Sequence, residues 1–187
     1  MTRHSCCSCM KQCTCVEYIR IGRNWSYLQA TLTAEQRKII ADTFEELNVD
    51  PTRSGVSVFI RLFAEHPEDK KLWPELKPIH DSVLMGAPEI RILGERYMQG
   101  LDAIISSFSD EKSLEQTLKL IARAHKNKRV TKGHIQHMLP ALLDTLREEV
   151  AVYDNEVKEA WTALYVLLAE MVDDQMHHAA TTNSDKE

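Results

Sequence analysis

The sequence is poor in residues that form turns, since only 6 of its 187 residues are glycine and 6 are proline. All-β folds need many turns, and no stretch alternates β-branched and polar residues as strands do. No apolar run approaches the roughly 18 residues of a membrane-spanning helix. The N-terminus lacks the apolar stretch of a secretory signal, so we expect a cytoplasmic protein that is not exported.

The charge balance excludes one class of partner. The chain has 23 lysines and arginines against 28 aspartates and glutamates, a net charge of −5, which argues against general affinity for nucleic acid. Hydrophobic residues at 43% and charged residues at 27% are typical of a soluble globular domain. The last residues, 177–187, are polar and predict a disordered tail.

All five cysteines lie within the first 15 residues. No periodic apolar pattern surrounds them, so they are not core residues. Three functional interpretations stay open beside an inert tail: acylation of Cys6 and Cys7, soft-metal binding, and thiol redox chemistry. Two acyl chains would give peripheral membrane attachment, because one chain alone binds only marginally. Cys6 and Cys7 are therefore lipidation candidates within an extension over residues 1–31.

Apolar residues recur with helical spacing throughout 32–176. Thr33 and Gln36 match a capping box that opens the first helix. Pro67 ends a later helix, because proline disfavours helical geometry in the residue before it. Pro88 suits the first turn of another helix. The pattern predicts one all-α domain of six or more helices with short connections.

His125 is the residue most informative about function. Leu114, Leu118 and Ile121 precede it at intervals of four, three and four, so the imidazole ends an apolar stripe on one helix face. A histidine in apolar surroundings offers a neutral ring nitrogen to a metal or cofactor. A histidine in that position is also common as an ordinary core residue, so the stripe alone does not decide its role.

The other histidines are poorer ligand candidates. His66 precedes Pro67 at a corner and is predicted to be structural. His134 and His137 stand three apart on a helix, a spacing that allows a metal pair but favours a solvated surface. His80 lies in a loop between helices.

Five segments resemble successive helices of the globin family, over about 145 residues and in the family's order. They are LTAEQRKIIADTF, SGVSVFIRLFAEHPEDKKLWPEL, APEIRILGERYMQGLDAII, the residues from Ile121 to His125, and EAWTALYVLLAEMV. Gly55 suits the point where two globin helices cross closely, since it has no side chain. The chain is similar to divergent members such as invertebrate globins, neuroglobin, cytoglobin and globin X, with a cysteine-rich extension added. The resemblance implies a globin fold of six to eight helices around a haem pocket.

The resemblance makes His125 the proximal ligand of iron in haem b. Its other ring nitrogen should donate to the carbonyl of Leu120 or Ile121, which would orient the ring. Leu93 replaces the usual distal histidine and can neither coordinate iron nor hydrogen-bond a gas. Ferrous iron without a ligand should then be five-coordinate. Tyr97, one turn later, would supply the polar group that Leu93 lacks.

Ten residues are predicted to contact the cofactor. They are Phe59, Phe63, Trp73, Leu93, Tyr97, Ile121, Val130, Ile135, Met138 and Leu168. Lys128 and Arg129 are close enough in sequence to His125 to be candidate partners of the haem propionates.

Two classes of function follow from this assignment. The first is a haem protein that reversibly binds a diatomic gas as carrier, store or sensor. Redox activity on nitric oxide, nitrite or peroxide is a variant of it, for which the sequence shows no catalytic acid–base pair. The second is a globin-fold interaction module that has lost haem. His125 favours the first class, and the bulky Tyr97 and Trp73 favour the second.

Overall fold

The computed structural model describes residues 32–183 of the chain. In this range it contains seven α-helices and no strand, which confirms the predicted all-α fold. No helix here combines the length and apolar character needed to cross a membrane. The extension over 1–31, with Cys6 and Cys7, lies outside the described residues, so membrane attachment through it stays a prediction.

The helices follow one another with short connections. They are α1 (Ala34–Leu47), α2 (Pro51–Glu65), α3 (Asp81–Leu84), α4 (Pro88–Ser106), α5 (Glu111–Asn127), α6 (Lys132–Glu149) and α7 (Asn155–Asn183), with a 3-10 turn (Asp69–Leu72) between α2 and α3.

Local sequence signals account for where these helices begin and end. The capping box is confirmed, because the backbone N–H of Gln36 donates to Thr33 Oγ1 over 3.1 Å and that of Thr33 donates to Gln36 Oε1 over 3.0 Å. Helix α2 ends at Glu65, just before the histidine–proline corner, and α4 begins at Pro88 as predicted. Hydrogen bonds and proline geometry therefore set these boundaries before any tertiary contact is considered.

The last helix is longer than we predicted. We expected a disordered tail over 177–187, but α7 continues to Asn183. No glycine or proline interrupts the sequence of α7, and Ala179 and Ala180 have the strongest helix propensity of all residues. The polar composition near the end therefore did not stop the helix.

Helices α2 and α4 cross with their backbones in contact. A Cβ atom added to Gly55 would lie 2.7 Å from Gly94 Cα, and one added to Gly94 would lie 2.7 Å from the backbone nitrogen of Val56. Only glycine at both positions permits this approach. One turn beyond the crossing, Phe59 and Tyr97 meet edge to face with ring centroids 5.6 Å apart.

A second contact joins the first helix to the last. The indole Nε1–H of Trp161 on α7, which is fully buried, donates to Thr43 Oγ1 on α1 over 3.0 Å. The Thr43 hydroxyl in turn donates to the carbonyl of Ile39 over 2.7 Å. Both buried polar groups are therefore satisfied, which removes the free-energy penalty that an unpaired indole N–H would carry.

Replacing Gly55 with alanine should lower the free energy of unfolding by about 1–3 kcal/mol, because the new methyl group meets backbone atoms that cannot rotate away. Gly100→Ala on α4 is the matched control, since a Cβ there meets no atom within 4 Å. Alanine should instead stabilise that helix by about 0.5–1 kcal/mol. Urea unfolding of the haem-free protein measures both, and equal stability of the two variants would contradict the crossing.

Candidate functional site

Helices α2, α4, α5, α6 and α7 and the residues around the 3-10 turn surround a cavity of about 330 Å³. Of the predicted cofactor contacts, all except Phe63 line it, together with His125. The lining residues that the sequence reasoning did not name as contacts are Leu62, Asp69, Leu72, Arg96, Gly100, Leu101, Ile104, Ala124, Lys128, His134, Tyr165 and Val172. The lining is largely apolar, with a few polar groups.

Phe63 lies behind the cavity wall rather than on it. Its ring packs against Trp73 with centroids 5.5 Å apart, and Trp73 in turn packs edge-on against Phe59 at 5.4 Å. Such edge-to-face contacts are favourable because the positive edge of one ring meets the negative face of the next. Phe63 therefore supports Trp73 and Phe59, which face the cavity.

His125 is held in one orientation by its own helix. Its Nδ1–H donates to the carbonyl oxygen of Ile121 over 2.8 Å, one of the two hydrogen bonds that the sequence predicted. This bond places the proton of the neutral ring on Nδ1 and leaves Nε2 with a lone pair. Burial lowers the pKa of His125, against a smaller opposing effect of the Ile121 carbonyl. The ring therefore stays neutral at pH 7, the form that binds a metal.

The chain turns sharply just after His125. The backbone N–H of Val130 donates to the carbonyl of His125 over 3.0 Å, and that of Arg129 donates to the carbonyl of Lys126 over 2.9 Å. Arg129 adopts a left-handed φ of 59°, so the turn is a Schellman motif. It brings Val130 into the cavity wall. Lys128 also lines the cavity, whereas Arg129 is not part of the lining.

A pair of tyrosines forms a polar contact within the cavity wall. The hydroxyls of Tyr97 on α4 and Tyr165 on α7 lie 2.5 Å apart. Burial raises the pKa of Tyr97 well above its usual value, with smaller contributions from Tyr165. Burial likewise raises the pKa of Tyr165, against an opposing effect of the hydrogen bond to Tyr97. Both hydroxyls therefore stay protonated over the physiological range.

A buried carboxylate, Asp69, joins the 3-10 turn to α6. Its side chain is only 2% exposed, and His137 Nδ1–H donates to its Oδ2 over 2.8 Å. His134 Nε2 lies 3.6 Å from Oδ1. The backbone N–H of Thr131 donates to His134 Nδ1 over 3.0 Å, so Nε2 carries the proton of the neutral ring. Both histidines therefore present protons to Asp69.

The expectation of a solvated surface holds in part for His134 and His137, whose side chains are 28% and 35% exposed but face the buried carboxylate of Asp69. His66 joins the same group, as its ring stacks on that of His137 with centroids 3.7 Å apart and planes 3° from parallel. No group of three or more potential ligand side chains in the described part of the chain is arranged to hold a metal ion. The cluster is joined by the hydrogen bond from His137 to Asp69 and by the stacked rings of His66 and His137.

The cavity fits the haem that the sequence resemblance implied. Its lining is mainly apolar, as a flat hydrophobic macrocycle requires, and Lys128 and Arg96 supply cations for carboxylate substituents. His125 offers one unprotonated nitrogen. The second histidine in the lining, His134, has its Nδ1 occupied by the backbone N–H of Thr131, and its Nε2 lies 3.6 Å from the carboxylate of Asp69. The residues present therefore match one axial ligand and an apolar pocket.

Three polar residues of the site, Tyr165, Asp69 and Arg96, were not predicted from the sequence. Tyr165 follows Trp161 by four residues and precedes Leu168 by three. This helical spacing predicts its place on the buried face of α7. Asp69 left no such signal. An aspartate after a proline corner is ordinary surface composition, and only the packing of α6 buries it.

The chain resembles known haem proteins. A family model described as Globin matches residues 56–172. Cytoglobin-1 of Oryzias latipes is 25% identical over 140 residues, which cover 73% of this chain and 79% of the relative. Anaerobic nitrite reductase NSHB5 of Oryza sativa subsp. indica is 24% identical over 148 residues, covering 78% and 96%.

A solved structure shows the same fold. The hexa-coordinate haemoglobin of Drosophila melanogaster superposes with a TM-score of 0.68 at 20% identity, covering 75% of this chain and 93% of that one. At this level of identity the similarity establishes the arrangement of the helices.

Replacing Asp69 with asparagine should lower the free energy of unfolding by about 1–3 kcal/mol, because two histidine protons then face one acceptor oxygen and an amide group. Asp81→Asn is the control, since its carboxylate is 76% exposed and pairs with Lys70. That change should have little effect. Urea unfolding at pH 7 compares them, and an equal effect would show that burial of Asp69 contributes nothing.

Proposed function

Since the chain belongs to the globin family, we propose that it holds haem b and reversibly binds dioxygen or another diatomic gas. The observation that carries this proposal is His125, a neutral imidazole in an apolar cavity, oriented by its bond to Ile121 and with Nε2 unprotonated. A filled, haem-free pocket would have no need of an oriented imidazole there. Whether the gas is carried, stored or sensed depends on partners outside the cavity.

Bound haem would be held by His125 and would supply an iron that binds a small gas molecule. The protein's contribution is positional. Four apolar side chains would contact the macrocycle and exclude water: Val130, Ile135, Met138 and Leu168. The Ile121 carbonyl would keep the plane of the His125 imidazole fixed. Lys128 and Arg96 would bind the propionates. The four apolar side chains would keep the pocket apolar around the cofactor.

Among the described residues that line the cavity, those on α4 offer no imidazole to iron. Leu93 lies in the lining at the position where the family usually has histidine, and its side chain has no donor atom. The hydroxyls of Tyr97 and Tyr165 bind each other. We therefore infer five-coordinate ferrous iron, in contrast to the Drosophila haemoglobin that is named hexa-coordinate.

Replacing His125 with alanine should strongly weaken haem affinity. Loss of a residue that only hydrogen-bonds to a metal ligand lowers metal affinity by roughly 10- to 100-fold, and loss of the ligand itself should cost more. The purified protein is titrated with haem, and the Soret band is recorded. His80→Ala is the matched control, because His80 is exposed and caps α3, and it should bind haem normally. A wild-type protein without a Soret band would favour the interaction module that lacks haem.

Ferrous protein without added ligand should be five-coordinate and high-spin, because no side chain in the described cavity wall opposes His125 as a second axial ligand. Resonance Raman marker bands and the visible spectrum report this directly. A low-spin spectrum that disappears in His80→Ala would contradict the inference, and would show that α3 swings inward to bind the iron.

A further inference from the structure

Tyr97 and Tyr165 reach one cavity from opposite helices. Tyr97 projects from α4 and Tyr165 from α7, and their hydroxyl oxygens lie 2.5 Å apart. The Tyr97 ring is braced by Phe59 at 5.6 Å, and Tyr165 is buried. Both belong to the cavity lining. The contact is therefore a feature of the candidate site and not of a separate core.

The tyrosine pair has one hydroxyl proton that is not engaged in the hydrogen bond between the two residues. Two phenol groups carry two O–H protons, and the hydrogen bond between them occupies one. Among the side chains that the structure describes, no other group accepts a proton from either hydroxyl. Burial keeps both groups protonated, as the raised pKa of each shows. One buried donor is therefore left over at the cavity wall.

We propose, on the premise that the cavity holds haem as inferred above, that Tyr165 is a positioning residue for the gas ligand. It donates to Tyr97, so that the remaining proton lies on Tyr97 and is available to the ligand. The opposite arrangement would leave the free proton on α7. Leu93, at the usual position of the distal histidine, and Tyr97 are both on α4. A ligand bound beside them would therefore favour the arrangement in which the free proton lies on Tyr97.

The pair would favour one chemical class of ligand. A hydroxyl that accepts a hydrogen bond becomes a stronger donor, because the two bonds polarise each other. Such a donor stabilises a small ligand whose outer atom carries partial negative charge, as dioxygen acquires on a ferrous metal. Carbon monoxide is a weaker acceptor and gains less. The tyrosine pair would thus favour dioxygen over carbon monoxide, which Leu93 cannot do because it has no hydrogen-bond donor.

The test uses the full-length protein loaded with haem, in the wild type, Tyr97→Phe, Tyr165→Phe and the double variant. The infrared C–O stretch of the carbon monoxide complex is measured, since a donor to the outer atom lowers its frequency. Tyr97→Phe should raise the frequency and speed dioxygen dissociation by about five- to tenfold. Tyr165→Phe should cause a smaller change of the same sign, because Tyr97 keeps its proton but loses polarisation and orientation.

The double variant separates positioning from a structural role. If Tyr165 acts through Tyr97, adding Tyr165→Phe to Tyr97→Phe should leave the stretch and the dissociation rate unchanged. Tyr153→Phe removes the same hydroxyl outside the cavity and should match the wild type. Unchanged C–O stretch and dissociation rate in Tyr165→Phe would overturn the inference, and so would additive effects. Absence of the Soret band in the wild type would instead overturn the proposed function.

Discussion

The close crossing of α2 and α4 is the constraint on which the candidate site depends. Gly55 and Gly94 have no side chains, so the two helix backbones touch. One turn further along each helix, Phe59 meets Tyr97 with ring centroids 5.6 Å apart. A wider crossing would move Tyr97 away from α7 and break its contact with Tyr165. The spacing of α2 and α4 beside the cavity therefore depends on two residues, Gly55 and Gly94, that have no side chain.

Arg96 and Lys128 in the cavity wall are exposed, but almost every buried polar group there is paired, as buried polar groups must be. The Ile121 carbonyl accepts from Nδ1 of His125, and Asp69 accepts from His137 and lies 3.6 Å from His134 Nε2. What stays unpaired is small in number and opposite in kind: a lone pair on His125 and one proton on the tyrosine pair. An acceptor for metal and a donor for ligand, both in apolar surroundings, are what the proposed haem and gas binding would require.

The ends of several helices were predictable because they depend on neighbours in sequence. The Thr33 capping box, the stop at the histidine–proline corner and the start at Pro88 all involve residues within one turn. The His125–Ile121 bond was predictable for the same reason, since a helix places them together. The end of α7 was missed because a polar sequence does not exclude helix when its alanines favour one.

By itself, the sequence determined the all-α fold and the place of His125 on an apolar helix face, since both depend on periodicity. The resemblance to globins implied that Leu93 stands where that family usually has a histidine. The tertiary structure alone decided what the polar groups bind. Tyr97 and Tyr165 stand 68 residues apart, as do Asp69 and His137. Their partners follow from how helices distant in the chain pack, and a short-range pattern carries no information about that packing.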